Sequence, residues 1–385
     1  MITTINNKHK KLNVPNLRFP EFQGEWEKTK FGDIATGFDY GMNAAAKNYD
    51  GVNKYIRITD IDEASSTYTD KDIVSPDGIL TDNYLVNNRD ILLARTGAST
   101  GKSYLYKQSD GKLYYAGFLI RANVTTHDPY FVFSQLHTHR YWIWVSIMSA
   151  RSGQPGINSQ EYSSFPIYTT SIEEESKIAK LLSLLDERIA TQNKIIEDLK
   201  RLKSAISENL FKAVNGDVVI LSEICEIIKG KQVNGEFLSE KGKYYVMNGG
   251  TEPSGYYSDY NVEANTISIS EGGNSCGYVQ FNTSPFWSGG HCYTIQKIAD
   301  NVDYLYLYHY LKSKEDAIMK LRIGSGLPNI QKKDLAMFKI KLPTVEQQKS
   351  ISTFLSSLER KAEIEEMLLN AMKKEKQYLL RQMFI

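Results

Sequence analysis

Two long segments of the chain repeat apolar residues at alternating spacings of four and three. One runs from Ile178 to Leu210 and the other from Ile351 to Met383, and neither contains glycine or proline. This spacing places the apolar residues along one stripe of an α-helix, so it predicts two long amphipathic helices. Each stripe would extend about 50 Å at 1.5 Å per residue, which is longer than a small domain is wide. We therefore expect the helices to pack along each other as a coiled coil. The predicted seam consists of Ile178, Leu182, Leu185, Ile189, Ile196, Leu199, Ile351, Leu355, Leu358, Leu369 and Met372.

The two helical segments belong to a longer internal repeat. Residues 153–211 align without a gap on residues 326–384, with identical pairs that include Pro155/Pro328, Ile157/Ile330, Phe165/Phe338, Leu182/Leu355 and Leu185/Leu358. Identities at a fixed offset over this length indicate a duplicated unit. Gln192 and Glu365 interrupt the two seams at equivalent positions, and polar seam residues often fix helix register.

A segment with a different residue pattern precedes each helix. Short runs of β-branched and aromatic residues, such as KYIRIT, DILLAR, KYYVMNG and NTISIS, alternate with Gly, Asn and other turn residues. These runs predict mixed α/β globular domains, and ILLARTGASTGK in the first corresponds to ISISEGGNSCGY in the second. We divide the chain into a first globular domain at 1–170, a first helix at 171–212, a second globular domain at 213–343 and a second helix at 344–385.

Composition limits the class of protein without identifying a partner. The 385 residues contain 46 Lys and Arg against 45 Asp and Glu, so net charge does not indicate a nucleic-acid partner. Three cysteines are too few for a disulfide framework, and an odd number cannot all pair within one chain. Cys276, His291 and Cys292 lack the paired spacing and fourth ligand of a zinc site, so we predict no metal. Without a signal peptide or an apolar run of about 18 residues, we expect a cytoplasmic protein that does not contact a membrane.

The stretch LLARTGASTGKSYLY has the residue types of a phosphate-binding loop. Such a loop needs glycine five residues before Gly101, where this chain has Thr96. The second copy keeps both glycines but has Tyr278 in place of Lys102. We therefore interpret the shared glycines as a tight backbone turn rather than an ATP site.

The sequence after this turn offers no catalytic constellation. YLYKQSDGKLYYA predicts a β-hairpin with a turn at Asp110 and Gly111, whereas a phosphate loop must open a helix. Methyltransferase motifs are missing, and the histidines show no pairing with Ser or Cys that suggests a triad. We expect a binding protein without catalytic residues. Two unequal readers joined by a spacer suit a long target with two different halves, for which DNA is the natural candidate.

With the repeat established, the sequence resembles the specificity subunit of type I restriction-modification systems. The resemblance is carried by VPNLRFPEFQGEWEKTKFGDIATG, DILLARTGASTGK, GQPGINSQEYSSFPI, GLPNIQKKDLAMFKIKLP and the helix starts IEEESKIAKLLSLLDERI and VEQQKSISTFLSSLERKA. The resemblance covers nearly the whole chain, and the order and double occurrence of these pieces make it specific. One departure is that the first helix starts with TTSIEEE, where the family commonly has a proline-containing start such as LPTVEQQ in the second copy.

The resemblance implies an α+β fold with two homologous target-recognition domains, separated by two long helices that form an antiparallel coiled coil. Each domain would read one half of a split double-stranded DNA target, and the helices would set the spacing. The implied partners are two modification subunits, which bring S-adenosylmethionine and methylate adenine, and restriction subunits, which use ATP and Mg²⁺. The chain itself would hold no cofactor. The alternatives are a duplicated module that binds a ligand other than DNA, and a nucleotide-hydrolysing enzyme that depends on Lys102.

Candidate DNA contacts follow from the chemistry of base edges. Arg, Lys, Asn and Gln near exposed turns present the forked or paired hydrogen-bonding groups that match purine edges in the major groove. The candidates in the first domain are Arg57, Arg95, Ser99, Lys102, Arg151, Gln154 and Asn158. Those in the second domain are Asn248, Glu271, Asn274, Arg322, Ser325, Asn329 and Lys332.

Overall fold

The computed structural model describes residues 3–4, 13–150, 153–324 and 328–385. Its strands are β1 (Thr3–Thr4), β2 (Leu17–Arg18), β3 (Glu27–Lys30), β4 (Ala35–Tyr40), β5 (Ala45–Asn48), β6 (Lys54–Ile56), β7 (Val74–Asp77), β8 (Asp90–Ala94), β9 (Ser103–Leu105), β10 (Leu113–Tyr115), β11 (Leu119–Val124), β12 (Pro166–Thr169), β13 (Asp217–Ile220), β14 (Glu226–Lys229), β15 (Tyr244–Met247), β16 (Tyr256–Tyr257), β17 (Thr266–Ser270), β18 (Val279–Asn282), β19 (Trp287–Ser288), β20 (Cys292–Gln296) and β21 (Lys339–Leu342). Its helices are α1 (Phe31–Ile34), α2 (Pro129–Gln135), α3 (His139–Met148), α4 (Ser159–Ser163), α5 (Ile172–Ala213), α6 (Leu221–Ile224), α7 (Tyr304–Ser313), α8 (Glu315–Met319), α9 (Lys332–Ala336) and α10 (Val345–Gln382).

The chain forms two compact units. Unit 1 comprises Met1–Asn193 and Leu368–Ile385, and unit 2 comprises Lys194–Met367. These limits cut through α5 and α10, because each unit includes half of each long helix. The four-segment division drawn from the sequence stays a prediction.

Both units are built around the same antiparallel four-stranded sheet. The strand order is β4-β11-β8-β9 in unit 1 and β14-β20-β17-β18 in unit 2. Each unit adds a parallel strand pair, β6 with β10 and β15 with β19. Each also has an antiparallel pair between the strand before its first short helix and the strand before a long helix, β3 with β12 and β13 with β21. The predicted duplicated mixed α/β architecture is confirmed.

The central strand β8 shows why its sequence is a continuous apolar run. Successive side chains of a strand point to opposite faces of the sheet. Ile91 and Leu93 belong to one hydrophobic core of unit 1, while Leu92 and Ala94 belong to another. Because both faces are covered, every position of β8 is buried and polar alternation disappears.

The long helices α5 and α10 pair in antiparallel fashion. In unit 2, Lys200 Nζ lies 2.5 Å from a Glu366 carboxylate oxygen, and Lys203 Nζ lies 2.6 Å from Glu359. As the lysine position advances along α5, the position of its glutamate partner moves backwards along α10, so the two helices run in opposite directions. Every residue of the predicted seam is buried or half-buried.

The predicted hairpin around Asp110 and Gly111 is wrong. A turn does form there, with Gly111 at φ +81°, and the Tyr104 hydroxyl donates to Asp110 Oδ2 at 2.6 Å. However, β9 pairs with β8, and β10 runs parallel to β6. The turn therefore joins strands of two different sheets, a distinction that local turn chemistry does not encode.

No helix in the described parts of the chain is long and apolar enough to cross a membrane.

Candidate nucleic-acid interface

The candidate site of unit 1 is built on a tight turn between β8 and β9, at residues 95–102. Gly97 and Gly101 have φ +73° and +95°, a conformation that side chains with a Cβ rarely adopt. The Gly97 N–H donates to the Pro155 carbonyl at 3.0 Å, and the Gly101 N–H to the Ala94 carbonyl at 3.0 Å. We call this segment the first glycine turn.

Unit 2 repeats this backbone arrangement in a second glycine turn, at residues 271–278. Gly273 and Gly277 have φ +74° and +92°. The Gly273 N–H donates to the Pro328 carbonyl at 3.0 Å, and the Gly277 N–H to the Ser270 carbonyl at 2.8 Å. The duplication therefore extends to individual hydrogen bonds. Each turn leads into a strand, whereas a phosphate loop opens a helix, so the nucleotide-loop alternative loses its structural context.

Arg95 lies on the surface of the first glycine turn above aromatic rings. Its guanidinium is 4.8 Å from the centre of the Tyr40 ring and 5.9 Å from that of Phe118, which gives cation–π attraction. Arg95 Nε donates to the Gly117 carbonyl at 3.0 Å. Among the described residues, no acceptor binds its two terminal nitrogens. Tyr40 and Phe118 are 44% and 59% exposed, so they flank Arg95 without burying it.

Other candidates of unit 1 share this turn. Ser99 ends its single 3-10 turn and is half-buried, and Gln154 is exposed on the segment bonded to Gly97. Lys102 Nζ lies 3.1 Å from a carboxylate oxygen of Glu63, whose own side chain is exposed. The Lys102 side chain is only 19% exposed, so one partner of this ion pair is exposed and the other is largely covered.

Two candidates of unit 1 make hydrogen bonds that support the local fold. Arg57 donates from Nε and a terminal nitrogen to both carboxylate oxygens of Asp60, at 2.9 and 2.7 Å. These hydrogen bonds raise the pKa of Arg57 above its ordinary value. The Asn158 side chain caps α4 by accepting from the Glu161 N–H at 2.9 Å. A DNA contact for either residue stays a prediction.

The second glycine turn begins at Glu271, a buried carboxylate. Lys229 Nζ donates to Glu271 Oε1 at 2.6 Å, and the Tyr293 hydroxyl donates to the same oxygen at 3.0 Å. Burial, together with this hydrogen bond, raises the pKa of Tyr293 well above its ordinary value. Glu271 Oε2 is buried and accepts no hydrogen bond from the described residues, although His291 Nδ1 lies 3.7 Å away.

Two of the remaining candidates of unit 2 make defined hydrogen bonds. Asn248 Oδ1 accepts from the His291 N–H at 3.1 Å. Asn329 pairs with Ile323 through both backbone groups, and its side-chain oxygen accepts from Gln331 Nε2 at 3.0 Å. Exposed side chains are found at three further candidates: Asn274, Arg322 and Lys332. Arg151 and Ser325 lie outside the described residues.

The hydrogen bonds of the sheets identify two equivalent sets of three residues. The Arg95 N–H donates to the Phe118 carbonyl, and the Glu271 N–H donates to the His291 carbonyl. The third residue of each set precedes a glycine whose N–H donates to an equivalent strand. Tyr40 precedes Gly41 in the first set, and Lys229 precedes Gly230 in the second. We call Arg95, Tyr40 and Phe118 the first triplet, and Glu271, Lys229 and His291 the second triplet.

Sequence reasoning missed Phe118, Lys229 and His291 as candidates. All three have exposed side chains: Phe118 and His291 directly precede β11 and β20, and Lys229 is the last residue of β14. Aligning YYAGFL with WSGGHC would have matched Phe118 with His291. That signal is too short to stand out, because the globular segments have diverged far more than the helices.

The described residues contain no group of three or more His, Cys, Asp or Glu side chains placed to hold a metal ion. The thiols of Cys225, Cys276 and Cys292 are buried, and burial raises the pKa of each.

Comparison with known families finds a match on both halves of the chain. The sequence profile described as type I restriction modification DNA specificity domain matches residues 23–201 and again residues 214–374. The two matches together cover most of the chain, and each includes one glycine turn.

Individual relatives agree with this match. A putative type I specificity subunit of Mycoplasma pneumoniae is 34% identical over 145 residues, which are 37% of this chain and 38% of that protein. The putative type I restriction enzyme MjaX specificity subunit of Methanocaldococcus jannaschii is 27% identical, and the match covers 92% of both chains. A crystal structure of the type I restriction-modification S subunit from M. genitalium has a TM-score of 0.68 at 18% identity, covering 97% of this chain and 99% of that one. This last likeness concerns the fold.

Proposed function

Since the chain belongs to the family of type I restriction-modification DNA specificity proteins, we propose that it is the subunit that selects the DNA sequence for a type I complex. Each unit reads one half of a bipartite double-stranded target, and the helix pair α5–α10 sets the unread gap between the halves.

One observation carries this proposal: the two glycine turns share their backbone and differ in their side chains. A duplicated scaffold that kept one ligand would retain the same contacting groups in both copies. Here an arginine on aromatic rings occupies the positions that a glutamate, a lysine and a histidine occupy in the other copy. Different polar groups on one scaffold are what two different half-sequences require.

The proposal assigns the chemistry to partner subunits. Two modification subunits bring S-adenosylmethionine and methylate adenine, and restriction subunits use ATP and Mg²⁺, while this chain is non-catalytic and works with them in the cytoplasm. A net charge of +1 fits this division, because partners that grip the phosphates supply most of the affinity.

The decisive experiment maps methylated adenines in a host that expresses this chain with its modification subunit. We expect one bipartite motif, with two specific halves separated by a gap of fixed length. Methylation without sequence preference would contradict the proposal. The unmodified host and a host with the modification subunit alone serve as controls.

The spacer role has its own test. Inserting four residues into each of α5 and α10 lengthens the pair by ~6 Å and adds slightly more than one helical turn. Because base pairs are stacked ~3.4 Å apart, we expect the gap to grow by about two base pairs while both halves stay the same. An unchanged gap would show that the helices do not set the distance between the two halves.

The alternatives predict different results. If the chain were a nucleotide-hydrolysing enzyme, the isolated protein would hydrolyse ATP and Lys102→Ala would abolish that activity; we expect no hydrolysis from either. A module for a ligand other than DNA would show no salt-sensitive, sequence-selective binding of duplex DNA even with modification subunits present.

A further inference from the structure

The first and second triplets place opposite chemistries at equivalent backbone positions. In each triplet, the residue that begins the glycine turn is Arg95 or Glu271. Tyr40 or Lys229 ends the first strand of the four-stranded sheet, and Phe118 or His291 precedes the strand that pairs with two neighbouring strands. The first triplet holds one cation on two aromatic rings. The second holds a buried carboxylate with a lysine and a histidine.

The first triplet presents a pure donor. Arg95 Nε is occupied by the Gly117 carbonyl, which leaves the two terminal nitrogens as a fork held over the Tyr40 ring. In the major groove only guanine offers two neighbouring acceptors, O6 and N7, to such a fork. The aromatic support restricts the guanidinium before DNA arrives, so less conformational entropy is lost on contact.

The second triplet presents two groups that Glu271 holds in place. Lys229 and His291 are 52% and 63% exposed, whereas Glu271 is 9% exposed at its side chain and faces both of them. A buried carboxylate cannot reach a base edge, but it fixes the ammonium of Lys229 and faces Nδ1 of the imidazole. Since Nδ1 faces Glu271 and the side chain is largely exposed, Nε2 of His291 is the ring nitrogen left for DNA.

We propose that the two triplets determine the sequence specificity of the two half-sites. Arg95 reads a guanine in the half contacted by unit 1, and His291 with Lys229 reads a base in the half contacted by unit 2, where Glu271 acts as a positioning residue. This inference rests on the proposed function and adds to it the residues and, for one half, the base.

The test uses the complex of the full chain with its modification subunits. After the wild-type motif has been mapped, methylation motifs are mapped for Arg95→Ala, Arg95→Lys and His291→Ala. Arg201, an exposed arginine on α5, supplies the control variant Arg201→Ala. Loss of a bidentate contact reduces discrimination roughly 5- to 150-fold. We expect Arg95→Ala to relax one guanine position of one half, and His291→Ala to relax a position of the other half only.

Two refinements separate base reading from charge and folding. Arg95→Lys keeps the charge without the fork, so we expect it to keep DNA affinity while discrimination at the same guanine falls. Replacing that guanine by 7-deazaguanine removes the N7 acceptor. It should weaken binding of the wild-type complex and leave binding of the Arg95→Ala complex unchanged.

The positioning role of Glu271 is tested by a measurement that a purely structural role would not change, the base preference in each half of the motif. We expect Glu271→Gln to change base preference in the half affected by His291→Ala, while the other half of the same motif stays unaltered. Glu271→Asp should restore part of the preference.

The outcomes distinguish the inference from the proposed function. Absence of any bipartite motif in the wild type would refute the proposed function. A bipartite motif that stays identical in Arg95→Ala and His291→Ala, or a relaxed first-half position that is not guanine, would overturn the inference alone.

Discussion

Substituting alanine for Gly277 tests whether close packing holds the second glycine turn in place. A Cβ at this position would lie 2.9 Å from both the Cα and the backbone nitrogen of Met319, the last residue of α8. The backbone also has φ +92°, where an L residue costs about 1–2 kcal/mol. Because a backbone atom cannot rotate away as a side chain can, overpacking adds about 1–3 kcal/mol. We therefore expect Gly277→Ala to destabilise unit 2 by about 2–5 kcal/mol.

Gly273→Ala is the matched control in the same turn. Its φ of +74° imposes similar backbone strain, but no atom lies within 4 Å of the added Cβ. The expected cost is only about 1–2 kcal/mol. Hydrogen exchange measured by mass spectrometry on peptides of unit 2 gives the local free energy of opening for both variants. Equal costs would refute the packing argument and leave backbone strain as the sole reason for glycine at both positions.

Three further predictions concern stability, measured as the free energy of unfolding in urea. Burial lowers the pKa of both His309 and His137 to about 4 from 6.5, so the unfolded chain binds two protons that the folded chain does not. Each histidine should lower the free energy of unfolding by about 3 kcal/mol as pH drops from 6.5 to 4, and His309→Gln should remove only its own share of that slope. Arg18→Met leaves the buried Glu174 carboxylate without its charged partner, so it should lower the free energy of unfolding by about 3–5 kcal/mol. Arg201→Met removes an exposed ion pair and should lower it by no more than about 1 kcal/mol. Equal losses would contradict this reasoning. Leu355→Ala removes a fully buried seam side chain and should cost about 2–5 kcal/mol, and a smaller loss would mean that the helix pair collapses around the cavity.

The long helices were the most predictable part of the fold. Their spacing alone placed Ile178 on the apolar stripe of α5 and Leu355 on that of α10, and both are almost fully buried. Amphipathic periodicity over many turns leaves little choice of structure. The glycines of the two turns were predictable for a similar reason, since glycine at equivalent places in two copies indicates backbone that few other residues adopt.

The partners of short strands could not be predicted. The Asp110-Gly111 sequence correctly indicated a turn, but which strand β10 joins depends on β6, more than fifty residues earlier. Site residues were equally hard to separate from structural ones. Arg57 and Arg95 have the same chemistry in the sequence, yet only Arg57 has a carboxylate three residues later that occupies its fork.

Equivalent positions in the two units diverge in two ways, and the contrast supports the proposed site. Glu175 and Gln348 are matched in the repeat and are both buried. Glu175 accepts from the Asp128 N–H at 3.0 Å and Gln348 from the Asp303 N–H at 2.8 Å, so the side chain changed while its hydrogen-bonding role at a helix start stayed the same.

At the glycine turns the role itself changed. Arg95 is a donor whose guanidinium lies on the Tyr40 ring and whose Nε donates to the Gly117 carbonyl, whereas Glu271 is an acceptor for Lys229 and Tyr293. The turn tolerates this reversal because its shape depends on backbone hydrogen bonds and on glycine conformation, neither of which involves the varied side chains. A scaffold of this kind can change its exposed groups without refolding, and this is the property that recognition of two different half-sequences requires.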